Sequence, residues 1–105
     1  MPKYFAKKTT IEGITFDSLT EAARWRELRL LERVGEIAGL AVHPKYPIVV
    51  NGQKICNYIA DFQYNYMDGR QVVEDVKSPV TRKLPAYRLK KKLMLACHGI
   101  IIVEV

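Results

Sequence analysis

Two dipeptides, Asn51-Gly52 and Asp68-Gly69, constrain this chain more than any other feature. Asn-Gly and Asp-Gly supply the positive-φ positions of tight β-turns, and both pairs stand between segments rich in β-branched and aromatic residues. HPKYPIVV precedes the first turn, a run from Ile55 to Tyr66 joins the two, and QVVEDVK follows the second. Three strands in a meander are therefore expected between Val42 and Lys77. In the middle strand Tyr58, Ala60, Phe62, Tyr64 and Tyr66 share one face. Asn57, Ile59, Asp61, Gln63 and Asn65 share the other.

Helical segments flank the meander. SLTEAARWRELRLLERVGEI is built from good helix formers and stops at Gly35, and Ser18 with Glu21 fits a capping box at its start. Ahead of it, residues 1–10 read as a basic arm and Ile11 to Phe16 as a short extended piece. Pro79 and Pro85 bracket a loop. AYRLKKKLMLACH then reads as a helix ending at Gly99, and IIIVEV as a buried strand. The order α-β-β-β-α-β implies an α+β or α/β fold, a mixed sheet flanked by helices. At 105 residues the expectation is a single domain, 1–105, with 49% hydrophobic and 27% charged residues enough for a modest globular core.

Charge narrows the function. Of the net +6, residues 1–10 carry three lysines and no acid, and residues 78–98 carry six Lys or Arg and no acid, which leaves −3 over the rest. Acid-free stretches beside an acidic body suit a polyanion such as nucleic acid. Cys56 and Cys97 form neither a zinc spacing nor a CxxC pair, so reduced thiols in a cytoplasmic setting are expected. No signal peptide and no apolar run of the roughly 18 residues of a membrane span is visible.

The chemistry concentrates on the last two strands of the meander. Asp75 and Lys77 project from one face, with Val72, Glu74 and Val76 on the other. Asp61 interrupts YIADFQY with a charge among apolar and aromatic residues. Whether it meets Asp75 depends on the turn. A two-residue turn at Asp68-Gly69 pairs Met67 with Arg70 and sets Asp61 against Val76. A three-residue loop with Gly69 left-handed pairs Tyr66 with Arg70 and sets Asp61 opposite Asp75. Asp-Gly favours the bulged loop, which is therefore expected. Two opposed carboxylates repel and call for a cation; Mg²⁺, with oxygen ligands and retained waters, suits them, and the Val76 carbonyl is a candidate further ligand. Lys77 beside them would orient or deprotonate a water and offset charge on a phosphate.

Asp61 with Asp75-Val76-Lys77, preceded by a helix bearing Glu21, resembles the PD-(D/E)XK nuclease superfamily. KKTTIEGITFDSLTEAARW, YIADFQY, VVEDVK and TRKLPAYRLKKKL are similar to small phage and prophage nucleases of that superfamily. The Glu-helix, Asp, acid-x-Lys layout is also that of archaeal-type Holliday junction resolvases and of transposase endonuclease subunits. Ala60 stands where the superfamily name has proline, and Glu74-Asp75 is a double acid in which parity with Lys77 selects Asp75. The resemblance implies a restriction-endonuclease-like core and a metal-dependent DNA endonuclease. Its catalytic residues would be Glu21, Asp61, Asp75 and Lys77. Asp61 and Asp75, with Glu21 as a further candidate, would bind Mg²⁺, for which Mn²⁺ can substitute.

Glu21 has two readings: a cap on the Ser18 amide, or a site residue turned inward on the arc of Trp25 and Leu28. A second apolar arc, through Leu19, Ala23, Leu30 and Val34, competes for the buried side. Thr81, Arg82, Lys83, Tyr87, Arg88, Lys90 and Lys91 are candidates for holding the DNA backbone. His43 and His98 read as isolated, with surface or packing roles. A chain this short leaves no room for a sequence-reading domain, so structure-selective cutting is expected over site-specific restriction, and the resolvase resemblance implies branched DNA, four-way junctions included, as the substrate. Symmetric cutting would need a homodimer. The alternative is a DNA-binding protein without turnover, or a subunit of a larger recombination or transposition complex.

Overall fold

The computed structural model describes residues 8–105; of the basic arm expected over residues 1–10, residues 1–7 lie outside the described residues, while Thr9 and Thr10 belong to a strand paired with Thr15 and Phe16. Eight strands and three helices run in the order β1 (Thr9–Ile11), β2 (Ile14–Phe16), α1 (Leu19–Arg33), β3 (Ile37–Val42), β4 (Lys45–Val50), β5 (Gln53–Ile59), β6 (Phe62–Tyr66), β7 (Gln71–Asp75), α2 (Pro79–Arg82), α3 (Pro85–His98) and β8 (Val103–Glu104). The chain is thus α+β, with a four-stranded mixed sheet β3-β6-β7-β8 and two hairpins, β1-β2 and β4-β5. Among the described residues only β8 runs parallel to its neighbour. No helix among the described residues is long and apolar enough to cross a membrane.

Both turn signals act as their chemistry requires. Asn51 (φ 50°) and Gly52 (φ 77°) close a two-residue turn that pairs Val50 with Gln53. The second turn is the bulged one: Gly69 sits at φ 92°, its N–H donates to the Tyr66 carbonyl (3.0 Å), and the Tyr66 N–H donates to Arg70 (2.9 Å). The resulting register pairs Phe62 with Glu74 and Tyr64 with Val72, and one step further sets Asp61 opposite Asp75.

Helix α1 packs on one face of the sheet, where Phe16, Ala22, Trp25, Leu28, Ile37, Phe62 and Tyr64 form one core. The competing arc is left in solvent, with Leu19, Leu30 and Val34 each more than half exposed. Helix α3 and the β4-β5 hairpin cover the other face, where Ile48, Tyr58, Ala60, Val73, Tyr87, Met94 and Ile102 form a second core. Each large side chain fully buried in these cores contributes roughly 1.5–3 kcal/mol.

Four expectations are corrected. The first helix ends at Arg33, just before the expected stop at Gly35, and Ile37–Val42, for which no element is expected, is a strand. The run from Ile55 to Tyr66 is two strands in different sheets, broken at Ala60-Asp61. Tyr58 and Phe62, equal in parity, consequently lie in opposite cores. The Pro79–Pro85 loop contains the short helix α2, capped by Ser78. IIIVEV pairs only through Val103 and Glu104, and as the sheet edge it buries Ile102 while Ile101 stays exposed.

Candidate functional site

Four segments bring acidic and basic side chains to one end of the sheet. The Ser18 hydroxyl accepts the Glu21 N–H (3.1 Å) and starts α1 there. The Glu21 carboxylate does not turn back to close a capping box. It is buried, and its Oε1 lies 2.7 Å from His43 Nε2. The half-exposed arc through Leu19 and Leu30 would have pointed it to solvent; burial of Trp25 and Leu28 turns it inward instead.

His43 follows β3 with φ 53°, a left-handed conformation that costs roughly 1–3 kcal/mol in a non-glycine residue. Its N–H donates to the Asp61 carbonyl (3.0 Å), which ties this strained position to the break between β5 and β6. The break is what frees Asp61 from the regular alternation. Its Oδ2 accepts the Val76 N–H (2.7 Å), and its own N–H donates to Asp75 Oδ1 (3.0 Å). Ligand atoms of Glu21, His43 and Asp61 all lie within 4.8 Å of one another.

Asp75 sits one layer deeper, 1% exposed, with its second oxygen accepting from the Tyr58 hydroxyl. Burial is the main force pushing both aspartates up, each to about 6. For Asp61 the Glu21 charge adds to that rise, while the Val76 amide and Lys77 oppose it. For Asp75 the Tyr58 hydroxyl and Lys77 oppose it and Asp61 adds to it. Such carboxylates are held back from ionising by their surroundings.

Glu74, the other half of the double acid, belongs elsewhere. It faces α1, where Arg24 grips it through Nε (2.8 Å) and Nη2 (2.6 Å) and the Tyr64 hydroxyl donates to it as well. Its hydrogen bonds and charge drive the Arg24 guanidinium pKa upward, against the lowering that burial alone would cause. This bidentate pair is a structural tie between helix and sheet, and it leaves Asp75 as the acid of the site.

Two clefts meet at Lys77. The larger, of about 730 Å³, is lined by Glu21, Asp61, Val76, Lys77, Ser78 and Thr81 among others. The smaller, of about 290 Å³, lies against Asp75, Lys77, Thr81 and Lys90. The Lys77 ammonium lies 5.4 Å from the centre of the Tyr87 ring, and Lys91, on the ring at 5.5 Å, also pairs with Glu104 (3.2 Å). Of the other basic candidates, Arg82 donates to the Lys77 carbonyl (3.1 Å), and Arg82, Lys83, Arg88 and Lys90 are exposed. Tyr87 is buried in the core under α3.

Glu21, Asp61, Asp75 and Lys77 therefore share one neighbourhood, and His43 joins them although it had read as isolated. No spacing rule links it to Glu21 across 22 positions; only folding does. His98 fits its packing role, with Nε2 against the Pro47 carbonyl (2.6 Å).

Over residues 1–98 the chain matches the family described as Protein of unknown function (DUF1064), and it belongs to that family. No curated protein and no solved structure matches it.

Proposed function

We propose that this member of the family is a divalent-cation-dependent endonuclease that cuts phosphodiester bonds in branched DNA. One observation carries the reading: Glu21, His43 and Asp61 offer ligand atoms within 4.8 Å of one another, and Glu21 and Asp61 open onto a cleft of about 730 Å³ whose wall includes Lys77, with Asp75 buried directly behind.

The donor set fits the cation this function needs. Two carboxylates suit Mg²⁺, and an imidazole beside them admits Mn²⁺ as readily. Glu21, His43 and Asp61 would hold the ion. Asp75, expected from the sequence as a second ligand, has both oxygens engaged and adds its charge from behind while fixing the Asp61 backbone. When bound, a divalent cation supplies charge stabilisation at a phosphoryl oxygen and makes a water more acidic. The Val76 amide fixes one Asp61 oxygen and so orients the carboxylate toward the cleft. Lys77 would set its ammonium where negative charge grows on the phosphate and donate a hydrogen bond that orients the attacking water.

The element order supports the PD-(D/E)XK reading. With the β1-β2 and β4-β5 hairpins and the short helix α2 set aside, the elements follow the order α1-β3-β6-β7-α3-β8. The acid-free segment carrying Arg82, Lys83, Arg88 and Lys90 lies beside the clefts and supplies the backbone contacts. A homodimer would provide the two sites that symmetric cutting requires, and action on DNA in a bacterial cell would place the protein in the cytoplasm.

The test is a panel of junction, fork, linear duplex and single-stranded DNA, each with Mg²⁺ or EDTA, using wild type and Asp75→Ala. Cutting of branched substrates by wild type with Mg²⁺ alone is expected. Equal cutting by both proteins, or no cutting of any substrate, would falsify the proposal. Salt-sensitive binding that needs no metal and survives the substitution, without cleavage, would point to a non-catalytic DNA-binding protein.

A further inference from the structure

We infer that the smaller cleft is a pocket for one unpaired nucleotide of the DNA strand, adjoining the phosphate held at Lys77. Lys77 and Thr81 line both clefts, so the pocket is continuous with the site and begins where the larger cleft ends. The inference rests on the nuclease reading for the position of that phosphate.

The lining suits a base and not a second metal or a water channel. Ile59, Leu84 and Ala86 form aliphatic walls, with Tyr58 and Tyr87 deeper in. Ile59 and Leu84 are 56% and 49% exposed, large apolar side chains left open beside a charged centre. Lys77 and Lys90 stand among them, and the flanking stretch from residue 78 to 98 holds no acid. Asp75, the one acid in the lining, is occupied by Tyr58 and by the Asp61 amide. Cation beside exposed aliphatic surface matches the phosphate and planar base of one nucleotide. At about 290 Å³ the pocket is at the small end of ligand-sized cavities, with room for a single ring system and none for a duplex.

Aliphatic walls can reach a base only after it has left its stack. The energy for that is lowest where the nucleotide is already unpaired. The pocket therefore selects DNA with an unpaired nucleotide beside the scissile bond, as at a flap, a fork or an opened junction centre. Continuous duplex offers no such nucleotide. This selection needs no base-specific contact.

The experiment uses oligonucleotides labelled with 2-aminopurine at one position, unpaired at a flap in one set and fully paired in the other. Binding is followed by anisotropy and by probe emission, in EDTA at fixed salt, so cleavage plays no part. Wild type is expected to bind the flapped form about tenfold more tightly, in the range that base contacts contribute, and to change emission only there. The exposed pair Ile59→Ser/Leu84→Ser, with folding checked by thermal melting, is expected to bring the flap-to-duplex ratio close to one. Equal affinity for both forms, no DNA binding at all, or a preference untouched by the double variant overturns the pocket. Preference without cleavage under Mg²⁺ keeps the pocket and sinks only the nuclease reading.

Discussion

Metal-free protein should become more stable when Asp61 is replaced by Asn, and the gain should depend on pH. Asn keeps an oxygen for the Val76 N–H (2.7 Å in the native chain) and removes only the charge. Burial raises Asp61 from 3.8 to about 6. At 1.36 kcal/mol per pKa unit that corresponds to about 3 kcal/mol. Because the folded pKa lies above the unfolded one, the associated stability is complete below pH 4 and is lost as pH rises through 6. Asp75, also raised to about 6, loses stability in the same window. The two charges oppose each other, so removing one relieves part of the other and the effects do not simply double. Urea unfolding in EDTA, run from pH 4 to pH 8, reads the difference between the proteins directly. Asp61→Asn should match wild type near pH 4 and exceed it by about 3 kcal/mol above pH 7. Added Mn²⁺ should narrow the gap by stabilising wild type alone. A variant that is no more stable than wild type at pH 7.5, or a gap that does not move with pH, would refute the reasoning.

Other outcomes follow from single contacts. Arg24→Met strands the buried Glu74 without its partner and should cost about 3–5 kcal/mol in urea unfolding, whereas Arg24→Met/Glu74→Leu should recover most of it. Gly69→Val forces a β-branched residue to φ 92° and should cost at least 1 kcal/mol; a neutral result would deny that the bulge fixes the register. Lys77→Met should lower kcat by a factor on the order of 10² to 10⁴ while calorimetric Mn²⁺ affinity stays within about twofold of wild type. His43→Ala should weaken Mn²⁺ binding by about tenfold or more, and unchanged affinity would remove His43 from the ligand set.

Local chemistry made part of this site legible. Asp-Gly turn preferences predict the bulge at Gly69, and the bulge sets the register that pairs Phe62 with Glu74 and so brings Asp61 beside Asp75. Strand parity likewise separated Asp75 from Glu74, whose Arg24 tie explains the second acid. What stayed hidden was tertiary. Two apolar arcs on α1 were equally plausible until packing buried Trp25 and Leu28, and with them Glu21. The alternation from Tyr58 to Tyr66 runs unbroken through Ala60-Asp61, so nothing local signals that the chain changes sheets there. β3 went unread because Gly35 stops the helix only two residues earlier, and Gly39 weakens IAGLAV as a strand. His43 depends on both of these features. It follows the unread strand and is held by the Asp61 carbonyl at the unread break.

In the proposed reaction Asp61, with Glu21 and His43, holds a cation beside Lys77 for cutting DNA. Single-turnover cleavage of an end-labelled forked DNA tests it most directly, with wild type and Asp61→Asn compared in Mg²⁺ and in EDTA. Wild type is expected to cut in Mg²⁺ alone, and Asp61→Asn at a rate lower by roughly 10³ or more, as for loss of a charge-stabilising group. Cutting by Asp61→Asn at the wild-type rate, or cutting by wild type that persists in EDTA, would contradict it.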